Sequence, residues 1–129
     1  MNTATDTVRD LYAAFAKGDI AAVLGALAPD VHWTEAEGGP LGGVYLGPEA
    51  VLEGVFMRIG SEWDGYTAIP RETVANDEVV VALGDYSATC KATGKSFKAP
   101  FAHVWKLQHG KVVVFQQFTD TALQRQAML

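Results

Sequence analysis

The segment Val112-Val113-Val114-Phe115-Gln116-Gln117-Phe118-Thr119-Asp120 mixes apolar residues with amides and ends on a carboxylate. Alternation sets Phe115, Gln117 and Thr119 on one face of a strand, and Gln116, Phe118 and Asp120 on the other, so polar groups stand on both faces. A strand lying flat on a core buries one clean apolar face. This one suits a sheet that curves around a partly polar cavity. It also closes a run of period-two segments. Tyr66 to Val74, Val79 to Thr89, Ser96 to Leu107 and Val112 to Thr119 read as four strands, with Asn76-Asp77, Ala92-Thr93-Gly94-Lys95 and His109-Gly110 as the turns between them.

Upstream the period changes. Val8, Leu11, Tyr12 and Phe15 fall on one helical face, and Gly18 follows as a C-cap. Asp19 caps a second helix, read from Ile20 to Ala28 and stopped by Pro29-Asp30. Val31-His32-Trp33-Thr34-Glu35 alternates as a strand, with Val31, Trp33 and Glu35 on one face. The glycine-rich stretch Gly38 to Gly43 lacks the Lys-Ser/Thr ending of a phosphate loop and reads as a flexible loop over a cavity mouth. Pro48, in a first turn where its missing N–H costs nothing, opens a third helix with Val51, Leu52, Val55, Phe56 and Ile59 inward and Gly60-Ser61 at its end. Thr121 to Leu129 reads as a short closing helix. Helices followed by an antiparallel meander make an α+β domain, with the helices on one face of the sheet.

At 129 residues the chain is one domain, 1–129. The formal net charge of −5, with the ten basic residues scattered, argues against nucleic acid as a partner. A single cysteine, Cys90, excludes an internal disulfide and a cysteine-rich metal site. His32, His103 and His109 lie far apart without i,i+4 spacing, so no metal is expected. The start, Met1 to Asp6, lacks the basic and apolar runs of a secretory signal, and no apolar stretch approaches the ~20 residues needed to span a bilayer. The expected location is the cytoplasm, with no membrane partner.

Several segments together carry a family resemblance. They are Val8 to Asp19, ending the first helix in a Gly-Asp turn; Leu27-Ala28-Pro29-Asp30-Val31-His32-Trp33; Gly43 to Val51; Ala99-Pro100-Phe101-Ala102-His103-Val104-Trp105; and Gly110 to Val113, running on to Asp120. In this order, across nearly the whole chain, they resemble the nuclear transport factor 2-like superfamily, in its SnoaL-like and ketosteroid-isomerase-related part. The resemblance implies a cone-shaped α+β barrel, its curved antiparallel sheet wrapped around three N-terminal helices and enclosing a pocket. It also implies a homodimer through the outer face of the sheet.

That fold hosts isomerases, cyclases, hydrolases and modules without chemistry, so function rests on individual residues. Glu35 falls where the resemblance places the isomerase base, and Trp33 on the same strand face would raise its pKa by desolvation. The other reading of Glu35 is a strand-end carboxylate facing solvent beside Glu37. The isomerase's two oxyanion donors fall at Leu11 and Ala102, with Tyr12 one position away, so a standard ketosteroid isomerase is rejected. The resemblance turns Ala102 and Val104 into the pocket, which sets His103 and Trp105 on the outer, dimer-forming face. The same alignment brings Phe115, Gln117 and Thr119 inward, with Gln117 as a ligand-orienting amide. Asp120 is the alternative catalytic carboxylate, or the cap of the closing helix. Tyr12, Trp33, Tyr45 and Phe56 complete the expected lining.

Two functions are open at this stage. One is cofactor-free proton transfer, isomerase- or cyclase-like, on a small apolar or polycyclic molecule, with Glu35 as base and Gln117 and Tyr12 orienting the ligand. The other is a non-catalytic binding or dimerisation module of the same fold, whose pocket would hold no titratable group shifted by burial.

Overall fold

In the computed structural model, which describes residues 3–129, Thr3 acts as a helix cap. Its hydroxyl accepts from the Asp6 amide at 3.1 Å, and the Asp6 carboxylate accepts from the Thr3 amide at 3.2 Å. This reciprocal pairing satisfies two amides that a helix start leaves free. Met1 and Asn2, the beginning of the segment read for a leader, lie outside the described residues. Helix α1 (Ala4–Ala16) buries Val8, Leu11 and Tyr12, and Asp19 caps α2 (Ile20–Gly25) through the Ala22 amide. No described helix is long and apolar enough to cross a membrane.

The second helix stops earlier than its period suggests, because β1 (Leu27–Glu35) begins at once. Leu27 pairs with Val112, and the ladder then skips to His32. Pro29 sits inside that gap, where no N–H is required of it. The glycine-rich segment leads into β2 (Gly43–Leu46), a strand that its composition hides, paired antiparallel with the end of β1. The loop before it is fastened down: Arg125 donates to the Gly38 and Gly39 carbonyls, and Leu41 is buried. Helix α3 (Pro48–Val51) continues through a π-helical stretch (Leu52–Phe56) into α4 (Met57–Glu62). Strands β3 (Trp63–Ala75), β4 (Val79–Cys90), β5 (Ser96–Gln108) and β6 (Lys111–Thr119) follow, and then α5 (Thr121–Ala127).

The strands form one curved sheet in the order β2-β1-β6-β5-β4-β3. The fold is α+β as expected, with one departure: β1 runs parallel to β6, while every other pair is antiparallel. The sheet does not close, since β2 and β3 are its two edges.

The face assignment of β5 is corrected by its pairing. His103 lies opposite Gln117 and Trp105 opposite Phe115. Directly paired residues project to the same side of a sheet, so an inward Gln117 and Phe115 require His103 and Trp105 inward as well. His103 and Trp105 are 3% and 4% exposed. Ala102 and Val104 therefore face outward, and neither His103 nor Trp105 is available to a partner subunit. The expectation was one residue out of step, which turns every side chain of a strand to the wrong face.

The bend of the sheet needs Gly84. It pairs with Pro70 on β3 and Phe101 on β5, beside a register shift between Pro70 and Glu72. A Cβ there would lie 2.6 Å from Phe101 Cζ and 2.8 Å from the Pro70 Cα, and would press on the Ile69 carbonyl. Gly84→Ala is expected to destabilise the fold by about 1–3 kcal/mol, the usual cost of overpacking. Thermal unfolding checks this, and an unchanged midpoint would show that the strands have room to part.

Candidate functional site

Alternation on four neighbouring strands aims one set of side chains at the concave face. Trp33 and Glu35 come from β1, Phe115 and Gln117 from β6, His103 and Trp105 from β5, and Tyr86 from β4. Helix α1 adds Leu11 and Tyr12, the π-helical stretch adds Val55 and Phe56, and β3 adds Tyr66. Between them lies a cavity whose space for the centres of water-sized spheres is about 50 Å³. One water needs ~10–15 Å³ on that measure, so there is room for a few waters or one small ring. Phe15, Ile59, Tyr66 and Ala68 on its wall are only half-buried and mark where it approaches solvent.

Glu35 is 5% exposed. Its Oε2 accepts from Trp33 Nε1 at 2.9 Å, and its Oε1 accepts from Gln117 Nε2 at 3.4 Å. None of the ion pairs among the described residues includes it. A carboxylate loses much of its hydration on burial, and two neutral donors replace only part of it. Burial therefore pushes the Glu35 pKa up from its ordinary 4.5 to about 7, with Trp33 and Gln117 opposing the rise.

Gln117 is held in one orientation. Its side-chain oxygen accepts from the Ala36 amide at 3.0 Å, which leaves its nitrogen facing Glu35 and Tyr86. From there a row of hydrogen bonds crosses the cavity wall. Gln117 Nε2 donates to the Tyr86 hydroxyl at 2.8 Å, and that hydroxyl meets His103 Nε2 at 2.5 Å. His103 Nδ1 meets the Tyr12 hydroxyl at 2.6 Å, and Trp105 Nε1 donates to the same hydroxyl at 3.1 Å. Stacked on Phe101 with ring centroids 3.9 Å apart, and without an acidic neighbour, His103 is driven by burial to a pKa of about 3 and stays neutral. Burial pushes the Tyr12, Tyr66 and Tyr86 phenols up, so they keep their protons. Among the described residues every fully buried side-chain nitrogen and oxygen has a partner.

A family model for the SnoaL-like domain matches residues 8–115. The chain belongs to the SnoaL-like family. No curated protein matches it. An NTF2-like protein from Burkholderia thailandensis is 43% identical over 100% of this chain and 99% of its own, with a TM-score of 0.96. An NTF2-like protein of unknown function from Burkholderia pseudomallei is 33% identical over 98% of each chain, at 0.90. TerC, crystallised with polyporic acid, is 26% identical over 96% of each chain, at 0.86.

In this SnoaL-like protein the cavity wall includes Glu35, Tyr12, Trp33, Phe56 and Phe115 of the expected residues, and Gln117 reaches Glu35 from beside it. Four other expected lining residues stand elsewhere. Ala102 and Val104 face outward, for the pairing reason above. Tyr45 belongs to the edge strand β2, where its hydroxyl donates to the Leu41 carbonyl and its ring covers Gly54. Thr119 lies past the cavity and donates to the Pro100 carbonyl. Asp120, the alternative carboxylate, accepts from the Leu123 amide as the cap of α5 and stands off the cavity wall. Tyr66, Tyr86 and the inward His103 are functional candidates that sequence reasoning missed. A signal for Tyr86 was present: the inner face of β4 reads Val80, Ala82, Gly84, Tyr86, Ala88, Cys90, one large polar ring on a wall of small residues.

Glu35 leaves a mark on stability. Between about pH 4.5 and 7 the folded chain holds a proton on Glu35 that the unfolded chain has released. This contribution is thus full below pH 4.5, falls as pH rises, and is lost above pH 7, a change of about 3 kcal/mol. Urea denaturation of wild type and Glu35→Gln is expected to show their difference moving by about that much toward the variant from pH 4.5 to pH 8. A constant difference would mean that Glu35 titrates normally.

Proposed function

We propose that this SnoaL-like protein is a cofactor-free enzyme, isomerase- or cyclase-like, in which Glu35 removes a proton from a carbon beside a carbonyl group. The observation that carries the reading is an ionisable carboxyl on the wall of a mainly apolar cavity, without a cation to hold it charged, poised near neutral pH. A general base is most effective when its pKa lies near the working pH. The C–H bond breaks, its proton passes to a Glu35 oxygen, and its electron pair becomes the enolate. Return of the proton at another carbon gives isomerisation. Attack of the enolate carbon on a second carbonyl carbon of the same molecule, whose C=O π pair moves onto its oxygen and takes the proton back from Glu35, gives ring closure.

Cavity size narrows the ligand. A compact single-ring or short-chain carbonyl compound suits the room described, and a polycyclic one requires the walls to move. TerC, a relative of the same fold crystallised with polyporic acid, supports a small organic ligand for this chain. A binding module without chemistry has less use for a carboxyl desolvated at this cost.

The test uses ring ketones in D₂O, with loss of the C–H signals beside the carbonyl followed by proton NMR. Wild type is expected to accelerate exchange for at least one compact ketone, rising with pH through about 7 as Glu35 ionises. Glu35→Gln is expected to lower that rate by about 10²–10⁴-fold, the range a general base contributes. Equal exchange in the two proteins would sink the assignment.

A further inference from the structure

Five hydrogen bonds join Trp105, Tyr12, His103, Tyr86, Gln117 and Glu35 in a row. The number of hydrogens available restricts how they run. Trp105 can only donate, so Tyr12 accepts from it. The Gln117 oxygen is taken by the Ala36 amide, so its nitrogen donates to both Tyr86 and Glu35. Neutral His103 has one N–H for two bonds. One tyrosine therefore donates to the imidazole, the other accepts from it, and the hydrogen of that second tyrosine is spent on nothing in the row.

Charge decides which tyrosine it is. The Tyr86 oxygen and a Glu35 oxygen lie on the same Gln117 nitrogen, at 2.8 and 3.4 Å. Tyr12 stands two bonds further along. A free phenolic hydrogen beside Glu35 lies in the field of the carboxylate, and a hydrogen left over at Tyr12 gains little from it. With the hydrogen at Tyr86, each bond from Trp105 as far as Tyr86 points its positive end along the row toward Tyr86, where Gln117 donates from the other side, and bonds aligned in series strengthen one another.

We propose that His103 carries its hydrogen on Nε2, that donation runs from Trp105 through Tyr12 and His103 to Tyr86, and that Tyr86 offers its free phenolic hydrogen to the carbonyl oxygen of the ligand beside Glu35. This rests on the proton-transfer reading above and names the residue that receives the oxygen. As the C–H proton moves to Glu35, negative charge passes from the carboxylate to the ligand oxygen a short distance away. The row of donors already faces both positions, so it needs no rearrangement to stabilise the enolate. Tyr66, also on the cavity wall, has no hydrogen-bond partner among the described residues and is the competing donor.

The first measurement is ¹⁵N NMR of histidine-labelled protein without ligand. His103 is expected as a resonance pair that does not titrate between pH 5 and 8, with Nε2 protonated and Nδ1 bare. A protonated Nδ1, with or without a proton on Nε2, overturns the donor assignment. The second uses cyclohexanone labelled with ¹³C at the carbonyl. Its bound resonance is expected downfield of the free one in wild type and in Tyr66→Phe. In Tyr86→Phe the shift is expected to vanish and binding to weaken about tenfold. Retention of the shift in Tyr86→Phe, its loss in Tyr66→Phe alone, or no binding up to the solubility limit of the ketone overturns the proposal. The tautomer is read without turnover, so its failure leaves Glu35 as base, and failure of the exchange experiment leaves the tautomer standing.

Discussion

Strand register is the constraint on which the site depends. Four strands bring Trp33 and Glu35, Phe115 and Gln117, Trp105 and His103, and Tyr86 to one face because β1 runs parallel to β6 and β6 pairs with β5 in one particular alignment. Paired residues keep their neighbours' side of the sheet, so the strand ladders set the facing of the sheet's members of the polar row, and Tyr12 joins them from α1. A shift of one residue in β5 would bury Ala102 and Val104 and expel His103 and Trp105. The apolar stack of Trp33 on Phe115, with centroids 3.9 Å apart, and the T-shaped contact of Trp33 with Trp105 resist such a slip from the core side.

The polar row and the aromatic core are one object. Tyr12 stacks parallel to His103, which stacks on Phe101, while their polar atoms complete the row. A buried hydroxyl or imidazole is tolerated once it has a hydrogen-bond partner, and one left with none costs about 1–3 kcal/mol. Trp33 shows the double duty most plainly. Its ring fills the core, and its N–H holds the Glu35 carboxyl on the cavity wall. The fold thus spends its aromatic residues twice, for packing and for orientation.

Much of this was legible in the sequence. Period-two stretches located the four long strands, and the shared face of Trp33 and Glu35 followed from their spacing. Asp120 was readable as a cap because a helix-forming run follows it. What failed did so for physical reasons. Pro29 looked like a stop because a proline within a strand is rare, and only the gap in the β1–β6 ladder explains its place. β2 was hidden by glycines that serve the loop before it. The face of β5 cannot be read from its own residues, since Ala102 and Val104 are as apolar as Phe101 and Trp105, and only its partner strand decides. Tyr86 was overlooked because a tyrosine in a strand is ordinary until its neighbours are seen to be small.

The π-helical stretch at Leu52–Phe56 reads in the sequence like any helix, yet it carries one residue more per turn than the α-helix on either side. It places Val55 and Phe56 on the cavity wall. Losing or gaining one residue there would turn the following helix by about 100° and exchange the side chains that roof the cavity. The sheet, which holds the polar row, would not be touched. Variation in ligand shape can therefore arise from a single insertion or deletion in the roof, leaving the chemistry on the floor as it was.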